Sequence, residues 1–214
     1  MKHHWLRSPL GAVAVAAFLT MTAALENTVA PWAPFHVVHA ALALAVPLLL
    51  GGTALGSFRR PKHRYWFLAI GLAVALHGIF GLMVAMVDLP GMFGRIFTVA
   101  AGRLAREPEA IGRAYLLFVQ VWAGLGEEIF YRGYLQGTLR QRFGPLAAIA
   151  AASLLFAIRH YAQVLIVWPD VDWGSATVWV AATFVVGLAF GWLYEKSASL
   201  WPSIVCHYAF NFLA

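Results

Sequence analysis

One cysteine and nine acidic residues in 214 positions remove several classes of protein at once. Cys206 has no partner for an intrachain disulfide and cannot seed a cysteine-rich metal site. Charged residues make up 11% of the chain, against about 25% in soluble domains, while 62% is hydrophobic and the mean hydropathy is +0.75. So little charge cannot clothe a water-facing surface, and the expectation is an all-α, polytopic transmembrane helical bundle. No internal repeat, low-complexity tract or soluble second domain stands out. The net charge of +6 would suit nucleic acid, but the basic residues gather at the ends of apolar runs, as the positive-inside rule has it. The bilayer, not nucleic acid, is the expected partner.

Hydropathy predicts about seven spans, each approaching the ~20 residues that cross ~30 Å of hydrocarbon. They run 9–26, 35–57, 65–87, 114–138, 145–168, 175–194 and 199–213. Lys2 and Arg7 before the apolar run Leu10–Leu25 also suit a signal peptide, but Pro31 follows the candidate cleavage sequence, and a retained first span is expected. Counting Lys and Arg puts the N-terminus in the cytoplasm. Lys2, Arg7, the cluster from Arg59 to Arg64, Arg140, Arg142 and Lys196 fall on that side, with Glu26, Asp88, Asp170 and Asp172 opposite. The segment 88–113 departs from this pattern through Arg95, Arg103, Arg106 and Arg113; Gly91–Ala105 reads as an amphipathic helix on the membrane surface. Trp5, Trp32, Trp66, Trp168, Trp173 and Trp201 lie near span ends as interfacial anchors. Short loops point to a bacterial inner (plasma) membrane.

The run from Ala114 to Leu139 is too apolar to leave the membrane, yet it holds Glu127, Glu128 and Arg132. Each such group near a bilayer centre opposes insertion by roughly 2.5–3.5 kcal/mol, while each Leu, Ile or Phe returns about 0.3–0.6. A span that only anchors would not carry that load, so the three charges are expected to face a protein interior or a wetted cavity. Adjacent residues on an α-helix diverge by about 100°. Glu128 and Arg132 are i,i+4 neighbours in the favourable order. They are expected to pair, leaving Glu127 free to face a cavity. The alternative is a neutralised cluster that only holds helices together.

Two later spans carry further polar groups. Phe156 and His160 share one helical face, with Arg159 turned elsewhere and snorkelling toward the outer interface. His207 and Asn211 sit i,i+4 on the last span. Each histidine taken singly is as well explained by packing, as are His77, His36 and His39, which have no acidic neighbour. As a set they fit peptide hydrolysis without a covalent nucleophile. A carboxylate can act as general base on water, a histidine can share that water, and His and Asn donors can hold an oxyanion. Cys206 faces away from His207, and no serine lies in a nucleophile elbow. Helix rise places Glu127 about 10 Å from the inner surface and His207 on the order of 10 Å from Trp201, but His160 about 22 Å from Pro145. A site in the inner half of the membrane is expected, with the His160 helix offset or tilted.

Glu127-Glu128-x-x-x-Arg132, Phe156-x-x-x-His160 and His207-x-x-x-Asn211, in this order on successive apolar spans, resemble the CPBP (Abi) family of intramembrane proteases. That family includes the type II CAAX prenyl endopeptidases. The resemblance covers 114–214, a CPBP-like core of about four spans. It leaves 1–113 as an N-terminal membrane region of about three spans plus the interfacial helix. It implies that Glu127 and His160 activate water, that His207 and Asn211 form the oxyanion site, and that Glu128 and Arg132, with Phe156, support it. Family members have been described both as metalloproteases and as metal-free glutamate proteases. Glu127, His160 and His207 could supply a two-His-one-carboxylate zinc site, although no two of them have the i,i+4 spacing of a helical zinc-protease motif. The metal-free form is the expectation. The implied substrate is a membrane-embedded or lipid-anchored peptide or protein. A proton-coupled transporter would bury similar residues, but paired halves or matched helix breaks are not found. A non-catalytic immunity or scaffold protein would keep them for packing.

Overall fold

Inside lipid an apolar run satisfies its backbone N–H and C=O groups only by coiling into a helix, and the described apolar runs do so. The computed structural model describes residues 8–29, 45, 57–85, 122–167 and 173–213, and no strand occurs among them. Among the described residues the α-helices are α1 (Pro9–Val29), α2 (Arg64–Ala85), α3 (Gly137–Val167), α4 (Trp173–Ser197) and α5 (Leu200–Leu213). Ahead of α3 the chain is π-helical at Trp122–Gly126 and Ile129–Gln136, with Glu127 and Glu128 between the two segments.

Among the described residues, three stretches are long and apolar enough to cross a membrane: Arg64–Met83, Gly124–Tyr161 and Trp173–Ser197. The chain is an integral membrane protein of the expected all-helical class. The middle stretch is a hairpin. Gly144, at φ 78° and ψ 174°, takes a conformation that a side chain disfavours. Pro145 follows, its missing N–H and fixed φ suited to the first turn of a new helix. Most of the expected span 35–57 and all of the surface helix Gly91–Ala105 lie outside the described residues, and the count of seven lies there with them. So do Trp5, Trp32, Trp168, His36 and His39.

The span expected to end at 138 instead runs on to the break at Gly144. Glu127 and His160 therefore stand at similar distances in sequence on either side of that turn. The hairpin alone brings them to one level, without the offset that the earlier boundary required.

Of the basic residues expected on one side, Arg59, Arg140 and Lys196 lie together at one end of the bundle, while Lys2 and Arg7 fall outside the described residues. Arg140 Nε donates to both carboxylate oxygens of Glu195, at 2.8 and 3.0 Å. The chain before α2 is tied to the α4–α5 turn: Ser57 Oγ and the Tyr194 hydroxyl are 2.7 Å apart, Leu200 N donates to Ser57 O at 2.8 Å, and Ser199 Oγ donates to Arg59 O at 2.6 Å.

Lipid tails offer helices no hydrophobic reason to associate, so close packing of small residues and polar contacts must do it. Ala12 with Ala16, Ala69 with Ala73, and Ala148 with Ala152 are i,i+4 pairs of small residues, all buried at helix seams. The seam between the π-helical arm and α4 is polar. Arg132 Nη2 donates to Gly187 O at 3.1 Å, and Gln136 Nε2 donates to Gly191 O at 3.0 Å. With Arg140–Glu195 these form three rungs at one constant offset. A Cβ added at Gly191 would come within 2.8 Å of Gln136 Oε1 and 3.1 Å of Ile149 Cγ2. Gly191→Ala is therefore expected to lower thermal stability in detergent by about 1–3 kcal/mol, the usual effect of overpacking. Gly71→Ala, whose Cβ meets no described atom within 4 Å, is the control and should not lower it.

Candidate active site

The two glutamates lie at the centre of the bundle. Glu128 is fully buried and Glu127 nearly so. Isolated π turns recur at functional sites in helices, and the pair here sits between two π segments.

Glu128 pairs with Arg132 as expected, Oε2 to Nε at 3.4 Å. Arg132 is wholly buried, and its guanidinium carbon lies 4.8 Å from the Phe156 ring centre, 5.6 Å from that of Phe190 and 6.0 Å from that of Tyr131. A desolvated cation among aromatic faces gains up to about 2 kcal/mol from such contacts. The bond to Gly187 O then fixes it to α4.

Glu127 is not free. Arg159 Nη1 bonds its Oε1 in a short ion pair, so the reading of Arg159 as turned away and snorkelling is corrected. The reason is geometric. Adjacent residues on α3 diverge by about 100°, so His160 and Arg159 face different neighbours. That separation turns the arginine onto the facing arm of the hairpin rather than toward lipid.

His207 links the two carboxylates. Its Nδ1 lies 3.0 Å from Glu128 Oε1, and its Nε2 lies 3.9 Å from Glu127 Oε2. The glutamates thus meet one imidazole from neighbouring positions, closer together than a 100° divergence suggested. Phe190 lies against that imidazole, with ring centres 4.7 Å apart.

His160 Nδ1 donates to Phe156 O at 2.8 Å. A carbonyl only accepts, so this bond places the proton on Nδ1 and leaves Nε2 as the basic nitrogen of the neutral ring. His160 is near enough to act electrostatically on Glu127. Phe156 is the hub under the site: its ring centre is 4.8 Å from that of His160, 5.1 Å from Tyr131 and 6.1 Å from His207.

Glu127, Glu128, Arg132, Phe156, His160 and His207 therefore come together, with Arg159 added. Asn211 lies one turn beyond His207 on α5, exposed, at the margin of this cluster. His77, on α2, faces Phe210 with ring centres 6.3 Å apart, as a packing residue would. Two carboxylates and two guanidiniums balance while the histidines are neutral. Such a cluster can hold a water against a carboxylate and offer imidazole nitrogens to the same space.

Two features of the donor set bear on a metal ion. Among the described residues no three His, Cys, Asp or Glu side chains are grouped to hold one. One oxygen of Glu127 is held by a guanidinium, which would repel a cation, while the bonds at both Nδ1 atoms leave each Nε2 open.

The chain was compared with known proteins. No curated protein and no solved structure matches it. The family model of type II CAAX prenyl endopeptidases of the Rce1-like kind matches residues 110–213, the stretch that holds every residue of the cluster. Over those residues the chain is similar to the Rce1-like, type II CAAX prenyl endopeptidases.

Proposed function

We propose that the protein is an intramembrane endopeptidase in which Glu127, with His160, activates a water molecule. One observation carries this reading: a buried carboxylate with one oxygen tied to Arg159 and the other turned toward His207. Glu127 Oε2 takes a proton from water as the water oxygen bonds the peptide carbonyl carbon. The carbonyl π pair moves onto oxygen, where a donor from Asn211, or from His207 once its Nε2 also carries a proton, stabilises it. The carbonyl then reforms as the C–N bond breaks, and Glu127 returns its proton to the departing amine. Glu128 and Arg132 hold the helix that presents Glu127, and Phe156 supports both histidines.

The substrate class is a membrane-embedded or lipid-anchored peptide or protein, as the family match suggests. Residues 114–214 form the catalytic core and 1–113 a separate membrane region. The end bearing Arg59, Arg140 and Lys196 faces the cytoplasm, as does the N-terminus, in a bacterial inner membrane. The site works without a metal. Exhaustive chelation of the purified protein is expected to leave its cleavage rate unchanged, with no stoichiometric zinc by elemental analysis; a rate restored only by added zinc would contradict this.

The function is tested by comparing membrane-peptide profiles, by mass spectrometry, from cells carrying wild type and Glu127→Ala. Wild type is expected to yield cleavage products that the variant lacks. Identical profiles, with both proteins present in the membrane, would end the protease reading.

A further inference from the structure

The geometry points to Arg159 as a positioning residue that fixes Glu127 and supplies the counter-charge for the reaction. This rests on the reading of Glu127 as general base.

The two arginines of the site differ in setting. Arg132 is wholly buried, enclosed by three rings and bonded to a backbone carbonyl, so it serves the scaffold. The Arg159 side chain keeps 18% of its exposure and reaches the other carboxylate from α3, beside His160. It stands at the rim of the cluster, where substrate chemistry takes place.

Its contact has two consequences. A glutamate can rotate its carboxylate about the last side-chain torsion and present either oxygen. With Oε1 bound by Arg159, Oε2 is the oxygen presented toward His207 and the water. The second consequence is electrostatic. Before reaction the negative charge sits on Glu127. When Glu127 takes the proton of water and the water oxygen bonds the carbonyl carbon, that charge passes to the carbonyl oxygen. The guanidinium stays charged at neutral pH and stays close, so neither state leaves an uncompensated anion in a medium of low dielectric.

The family match spans this position but assigns it no role. Lysine would keep the charge but offers a point charge in place of a planar fork. It should serve less well, though better than an uncharged residue.

The test uses full-length protein in vesicles. Its substrate is the peptide that Glu127→Ala fails to cleave in the profile comparison, synthesised with a quenched fluorophore. Arg159→Met is expected to lower kcat about 100-fold with KM within twofold, and Arg159→Lys to recover to within about tenfold of wild type. In a Glu127→Gln background Arg159→Met should cost much less than in wild type, because its hold on Glu127 no longer matters and only its charge near the carbonyl oxygen remains.

Wild-type kcat in Arg159→Met would overturn the assignment. So would a loss confined to KM, or a further full loss on top of Glu127→Gln. If Arg159→Met fails to accumulate, Arg159→Lys decides: a lowered kcat at unchanged KM supports the role, and an unchanged kcat overturns it. If wild type and Glu127→Ala leave the same peptides, the protease reading falls and this one with it. If wild type cleaves and Arg159→Met matches it, only the role of Arg159 falls.

Discussion

Glu127→Gln is expected to lower kcat for peptide cleavage by about 10³-fold, with little change in KM or in the amount of protein inserted. General-base catalysis contributes about 10²–10⁴-fold, and this substitution removes it while conserving shape. The amide oxygen can still accept from Arg159, so packing around the hairpin should persist. An amide nitrogen, however, does not take a proton from water at neutral pH. Purified variant in vesicles, assayed beside wild type on the same peptide, provides the measurement. Full activity would mean that another group takes the proton, and the role drawn here for Glu127 would be wrong.

Arg132→Met should produce the largest loss of stability, about 3–5 kcal/mol, because it strands the buried Glu128 carboxylate without its cation. Methionine also loses the bond to Gly187 O and the ring contacts that enclose the guanidinium. The double substitution Glu128→Gln with Arg132→Met removes both charges and is expected to recover a large part of the loss. Thermal unfolding in detergent can be followed by labelling of Cys206, a free and buried thiol that becomes reactive only as the bundle opens. A variant that melts with wild type would show that the pair adds nothing, as many exposed pairs do.

What could be read from the chain beforehand divides by range. Helical class followed from composition, since lipid leaves few other ways to satisfy a backbone. The Glu128–Arg132 pair followed from i,i+4 spacing because both partners share a segment. Contacts between segments did not follow. Gly187 and Gly191 accept hydrogen bonds through their carbonyls, and a carbonyl leaves no trace in residue identity. His207 belonged to the expected set, but its bond to Glu128 depends on how α5 docks. The partner of Arg159 also has a signal in the sequence. An arginine deep in an apolar span needs a counter-ion, and Glu127, the carboxylate expected to be free, was the one at hand. The Gly144-Pro145 step was legible too, and placing the turn there would have put Arg159 and Glu127 level.

The shared hairpin has a consequence for how the protein reaches its membrane. Glu127 leaves the ribosome before Arg159, and the arm that carries it holds an acid with no cation of its own. Passed singly from translocon to bilayer, that arm would face an uncompensated ionised group at a depth where each costs roughly 2.5–3.5 kcal/mol. Retained until the arm after Gly144 arrives, it leaves with that charge matched. The nascent chain should therefore partition into lipid as a helical pair, and truncation ahead of Arg159 should leave the first arm poorly integrated.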